Sequence, residues 1–221
     1  MLDALFAVLL TLLLPFYICI RQRDGAIFHS TPSQRYTRSI LMIALLLAGL
    51  FMIWRVEGRG VALLGLGLPQ SPIGIWALGG GAATIAGLLL VALWRPLPDQ
   101  SAAMKVNPEA RSIMPVKEPE KRLFLLFILF AGIGWEILYR GYLLFYLSPL
   151  VGLPLAILIA AAAYTASHGI KDRKRFAVSF LSALLFTGAY AATGNLWWLI
   201  LIHIALPLLG LFAMRREVRT S

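Results

Sequence analysis

Seven apolar stretches recur along the chain, at Leu2–Ile20, Ser39–Trp54, Ile73–Trp94, Leu123–Leu147, Leu153–Ser167, Phe176–Thr193 and Leu196–Met214. A helix needs about 20 residues to cross the hydrocarbon core of a bilayer. The pattern therefore predicts an all-α, polytopic integral membrane protein with about seven transmembrane helices, of which the second and fifth are short. With 60% apolar residues, 14% charged residues and a mean hydropathy of +0.81, the composition lies outside the range of soluble domains.

A net charge of +10 raises the question of nucleic acid, and the placement of the cations answers it. Arg21, Arg23, Arg35 and Arg38 lie between spans one and two; Arg95, Lys105, Arg111, Lys117, Lys121 and Arg122 lie between three and four. Lys171, Arg173, Lys174 and Arg175 follow span five, and Arg215, Arg216 and Arg219 follow span seven. The opposite side holds only Arg55 and Arg59, since Ser148–Gly152 and Gly194–Asn195 are uncharged. The positive-inside rule gives an external N-terminus and a cytoplasmic C-terminus. The basicity is thus a topology signal with some attraction to membrane lipid, and nucleic acid is not an expected partner.

Cys19, the sole cysteine, excludes an internal disulfide and a cysteine-based zinc site. The first span lacks a basic leader and a small-residue cleavage site, so it is expected to be retained. Residues 1–95 read as three N-terminal spans, 96–122 as a proline-rich cytoplasmic linker, 123–214 as a four-helix core and 215–221 as a basic tail. Thr31-Pro32-Ser33 reads as a turn in the polar loop Arg21–Arg38. Gly79-Gly80-Gly81 and Ala161-Ala162-Ala163 are small-residue faces of the kind that let helices approach closely in lipid.

Span four carries Trp135-Glu136-Ile137-Leu138-Tyr139-Arg140-Gly141, an acid and a base where hydrocarbon is expected. Each ionised side chain at mid-membrane costs about 2.5–3.5 kcal/mol on insertion scales, which marks the pair as functional by default. Glu136 lies roughly 21 Å along the helix from Arg122 at 1.5 Å per residue. Spaced by four, Glu136 and Arg140 share a face and can pair, so an ion pair that merely fixes helix packing is the alternative reading. His168 closes span five, one turn after Tyr164, at a level where an interfacial histidine is tolerated. His203 sits in the apolar run Ile200–Leu206, where a buried imidazole needs a partner from another span. His29 lies in the polar loop and is expected to be solvated.

One glutamate and two histidines on three spans can activate water as acid/base groups or as metal ligands, and the spacing does not choose. Glu136, His168 and His203 would suit a divalent metal such as zinc only if all three converge. Serine chemistry has less support, because Ser167 and Ser179 have no adjacent base in a recognisable turn.

Glu136-Ile-Leu-Tyr-Arg140-Gly141, then Tyr164-Thr-Ala-Ser-His168, then His203 in an apolar last span resembles the CAAX prenyl protease and bacteriocin-processing family of intramembrane proteases. The resemblance covers roughly Leu123–Met214, and Gln34-Arg35-Tyr36-Thr37-Arg38 before the second span looks like the N-terminal part of many members. It implies an intramembrane endopeptidase that activates water against a peptide bond of a membrane-associated peptide or protein, in a polar cavity of the last four spans open to the cytoplasm. A bacterial-type inner membrane is the implied location. By the same resemblance, Glu136 is the base, Arg140 positions it, His168 orients water or binds a metal, and His203 is an oxyanion donor or ligand.

Two positions depart from the family pattern. Its first motif has adjacent glutamates, the first taken to activate water; that position is Trp135 here, about 100° around the helix from Glu136. Its third has a polar residue four after the histidine; here it is Pro207, which donates nothing but frees the His203 carbonyl and favours a kink. A homologue that binds peptides without cutting is therefore the main rival. A small proton-linked transporter relaying through Glu136, His168 and His203 is the third reading.

Overall fold

The computed structural model describes residues 1–23, 30–94, 115, 117–169 and 172–220. His29, Lys171 and residues 95–114 and 116, which hold most of the expected linker, lie outside the described residues. Among the described residues seven long helices follow one another: α1 (Leu2–Gln22), α2 (Pro32–Val56), α3 (Pro72–Trp94), α4 (Glu118–Val151), α5 (Leu153–Ser167), α6 (Arg173–Thr193) and α7 (Trp197–Thr220). There is no strand among the described residues. Helices α1, α2, α3, α4 and α6 are long and apolar enough to cross a membrane, while α5 and the Trp197–Leu211 part of α7 are shorter apolar helices. The chain is an integral membrane protein of all-α architecture.

Several expected boundaries move, including the start of α4 at Glu118 and the end of α7 at Thr220, and two of the shifts have clear local reasons. Thr31-Pro32-Ser33 starts a helix rather than making a turn. The Thr31 hydroxyl accepts from the Gln34 N–H at 3.3 Å, the Gln34 side chain accepts from the Thr31 N–H at 3.1 Å, and Pro32 supplies a first helical residue whose missing N–H costs nothing. Helix α2 consequently has 25 residues and is not short. At the far end of α4 the expected loop Ser148–Gly152 is helical through Pro149 to Val151, and the break falls on Gly152 at φ 80°.

Helix α4 is the centre of the assembly. Just over half of its most apolar stretch, 56%, is buried in protein, against 11% for α3, which places α4 inside and α3 at the rim. It packs against α2, α5 and α7, with α1 lying on α5 and α3 against α7 and α6. Glycines set the closest crossings: a Cβ on Gly132 would stand 2.6 Å from the Ile204 side chain of α7, and one on Gly141 would stand 2.7 Å from the Leu64 carbonyl oxygen. Gly134 likewise leaves no room beside Ile43 of α2. Of the small-residue faces, Ala161 and Ala163 are buried and Gly81 meets Trp198, while Gly79 and Gly80 have nothing within 4 Å.

Two helices contain a widened turn with bonds spanning five residues, α1 at Leu9–Leu13 and α4 at Glu136–Tyr142. In α1 the Leu14 N–H returns to the Leu9 carbonyl, and the next residue, Pro15, has no N–H to return to Leu10. The freed Leu10 carbonyl accepts from the Tyr139 hydroxyl of α4 at 3.2 Å, and that hydroxyl also shares a 2.6 Å hydrogen bond with Ser167 of α5. One phenol thereby joins three helices. At the end of the bundle where α1 begins, Asp3 takes both nitrogens of Arg59 at 2.8 Å each, and the Asp3 carbonyl accepts from the Tyr142 hydroxyl at 2.6 Å. The Arg59 guanidinium also lies over Trp54 and Phe145, 5.1 and 5.2 Å from their ring centres, and its hydrogen bonds to the Asp3 carboxylate raise its already high pKa.

Candidate functional site

The widened turn of α4 is also the segment that carries the charged pair. All seven of its residues, Glu136–Tyr142, are buried, and Leu143 returns its N–H to Leu138 rather than to Tyr139. Such bulges recur at functional sites because they re-aim side chains at the cost of one regular bond. Glu136 and Arg140 pair along the helix, with Arg140 Nη1 donating to Glu136 Oε1 at 2.5 Å, and each side chain is only 3% exposed. The Arg140 guanidinium lies 4.7 Å from the centre of the Tyr164 ring, so α5 supplies a π face to the cation.

The partner that His203 requires is Glu136. Its Nδ1 stands 2.8 Å from the same Oε1 that Arg140 holds. A carboxylate paired with arginine is an acceptor only, so Nδ1 carries a proton, and in the neutral form of the ring Nε2 carries the lone pair. Gly132, one turn before Glu136, lets α7 come close enough for this contact. The result is a three-group line across α4 and α7, from guanidinium to carboxylate to imidazole.

A cavity of about 250 Å³ adjoins that line. Its polar lining is Glu136, Arg140, Tyr164 and His203, and its apolar wall includes Phe186 of α6 and Leu206 and Pro207 of α7. Polar supply inside it is uneven. Glu136 Oε2 and Arg140 Nε are buried with no hydrogen-bond partner among the described residues, whereas the His203 side chain is 23% exposed. Helix α7 runs on through Pro207, whose ring faces the cavity where the family pattern has a polar side chain.

His168 is placed differently. It caps the end of α5, is exposed, and donates Nδ1–H to the Tyr164 carbonyl at 2.8 Å, which again leaves Nε2 with the lone pair. Its ring packs at a tilt against Tyr164 and Trp135, 4.2 and 5.5 Å between ring centres. His168 does not line the cavity, so Glu136, Arg140 and His203 are brought into direct contact while His168 stands one aromatic layer away. Trp135 fills that layer, buried between Tyr139 and His168.

Among the described residues no three of His, Cys, Asp and Glu form a group that could hold a metal ion. Glu136 Oε1 and His203 Nδ1 are spent on each other, and His168 stands outside the cavity that those two residues line. The Ser167 hydroxyl is engaged with Tyr139. Sequence reasoning missed Tyr164 as the π partner of Arg140, and it missed the Tyr139–Ser167–Leu10 junction; the one signal for the latter was Pro15 inside an apolar helix.

Residues 120–209 match the protein-family model for Rce1-like proteins, described as type II CAAX prenyl endopeptidase Rce1-like. That interval contains Glu136, Arg140, Tyr164, His168 and His203, the residues on which the resemblance rests. The match spans 90 of the 221 residues, and over that segment the chain is similar to CAAX-type proteases. No curated protein and no solved structure matches the chain.

Proposed function

We propose that this Rce1-like segment makes the chain an intramembrane endopeptidase that uses water to hydrolyse a peptide bond of a membrane-associated peptide or protein. The observation that carries the reading is the direct Glu136–His203 contact beside a cavity of about 250 Å³, within a stretch that matches a protease family. Peptide hydrolysis needs a group that accepts a proton from water and later gives one to the leaving nitrogen, and a neutral imidazole with a free lone pair supplies both. The residues proposed for the reaction are Glu136, Arg140, His168 and His203. The surrounding apolar wall keeps bulk water out, which strengthens each polar contact formed with the reacting carbonyl.

Support for the orientation comes from the cations: Arg35, Arg38 and Lys121 belong to the expected cytoplasmic side, and Arg59 to the outside. In that orientation His168, at the end of α5, faces the cytoplasm, and substrate reaches the cavity from that side. A C-terminal reporter labelled from outside would overturn it.

A second reading has its own observation. The buried Trp135 packs on His168, in the position where the family carries its water-activating glutamate. On that reading the protein binds membrane peptides without cutting them. The test is incubation of the purified protein, in detergent micelles, with a library of membrane-anchored peptides. Cleavage by the wild type that disappears in His203→Gln supports the peptidase. Binding without cleavage, with cleavage gained in Trp135→Glu, supports the binding protein.

A further inference from the structure

Resting on the peptidase reading, we infer that His203, through Nε2, is the general base of the site and that Glu136 is a positioning residue that acts through it. The two carboxylate oxygens of Glu136 decide the matter. Oε1 already accepts from Arg140 at 2.5 Å and from His203 at 2.8 Å, and Oε2 is enclosed by protein. With two donors on Oε1 and Oε2 buried, the carboxylate is less well placed than the half-open imidazole to take a proton from water. His203 has the complementary character: Nδ1 is fixed by the carboxylate, the ring lines the cavity, and its side chain is 23% exposed.

The division of labour follows from bond directions. A hydrogen bond from Nδ1–H to a carboxylate fixes the imidazole tautomer, holds the ring plane, and stabilises the imidazolium once it forms. Arg140 holds Glu136 in its aim, and the Tyr164 ring holds the guanidinium from its other side. The relay Arg140–Glu136–His203 thus ends at a lone pair in the cavity. His168 offers a second Nε2 lone pair, but His168 is not among the residues that line the cavity.

The chemical step balances with water alone. Water oxygen bonds to the peptide carbonyl carbon while one water proton passes to His203 Nε2, giving a tetrahedral oxyanion and an imidazolium beside Glu136. The C–N bond then breaks, its electron pair stays on nitrogen, and the imidazolium returns the proton to that nitrogen. The products are a carboxylic acid and an amine, and His203 ends neutral.

The experiment compares wild type, His203→Gln, Glu136→Gln and His168→Gln in micelles with a cleaved membrane-anchored peptide, and reads the histidine tautomers by ¹⁵N NMR of the wild-type protein. His203→Gln is expected to lower kcat by about 10²–10⁴-fold with KM unchanged, the usual worth of a positioned base. Glu136→Gln keeps an acceptor for Nδ1–H but loses the charge, so its kcat falls by a smaller factor, again at constant KM. His168→Gln is expected to leave more activity than either, and His203 to show protonated Nδ1 and bare Nε2. Wild-type kcat in His203→Gln, or a His203 ring protonated on Nε2 instead, overturns the assignment while the peptidase reading stands. A wild type that cleaves nothing in the library removes both.

Discussion

Two of the acid–base pairs among the described residues are built to different standards. Asp3 and Arg59 meet through two parallel contacts of 2.8 Å, and the guanidinium is further covered by Trp54 and Phe145. Every carboxylate oxygen in that pair is used by its partner. Glu136 and Arg140 meet through one contact, leave Oε2 and Nε without partners, and share the bonded oxygen with a third residue. Bidentate geometry is what a purely mechanical clamp favours, because it satisfies both ions at once. An incomplete pair in low dielectric is costly to keep, and its retention beside a cavity points to a task other than holding helices together.

The contrast can be broken most forcefully at Arg140. Arg140→Ala leaves Glu136 enclosed without its cation, and removing one member of a buried pair costs about 3–5 kcal/mol. The variant should unfold at markedly lower temperature or denaturant in micelles. A variant as stable as wild type would show that Glu136 takes up a proton instead. Arg59→Ala should cost less, about 1–3 kcal/mol, because the Arg59 and Asp3 side chains keep 20% and 12% exposure and water can partly replace the lost bonds. Its distinguishing outcome is catalytic: kcat should match wild type, since nothing at Arg59 touches the cavity. A fall in turnover would mean that the two pairs are coupled through α4. The smallest effect is expected for Tyr139→Phe, about 1–2 kcal/mol for one hydroxyl that donates to the Leu10 carbonyl and accepts from Ser167. Paired with the Arg140 variant, it separates loss of junction from loss of charge.

Much of the architecture was legible from apolar runs alone, because in lipid the length of a hydrophobic stretch translates directly into a helix. Boundaries were less so. Thr31-Pro32-Ser33 carries the residues of a turn and of a helix start alike, and only the reciprocal Gln34 bond distinguishes them. Within the site, the i,i+4 spacing announced Glu136–Arg140, and the isolation of His203 among aliphatic residues announced that it needed a partner. That the partner is Glu136, 67 residues away, depended on how α7 crosses α4 at Gly132, which no local pattern encodes. Asp3 shows the same limit: the sequence reading passed over this lone acid of the first apolar run, whose pairing with Arg59 spans 56 residues. His168 lay nearer the cytoplasm than Glu136 by simple counting, and the structure spans that offset with the Trp135 and Tyr164 rings.

Pro15 bears on the order in which the molecule is assembled. Synthesis runs from the N-terminus, so α1 enters the bilayer before α4 has been made. During that interval the Leu10 carbonyl has neither an N–H from position 15 nor the Tyr139 hydroxyl, and an unmet backbone group in hydrocarbon costs several kcal/mol. Tyr139 follows 129 residues later, a delay on the order of ten seconds at about 5–20 residues per second. Helix α1 is therefore a provisional occupant of the membrane, completed as a span only when the fourth helix arrives, and a nascent chain halted after α3 should hold it loosely.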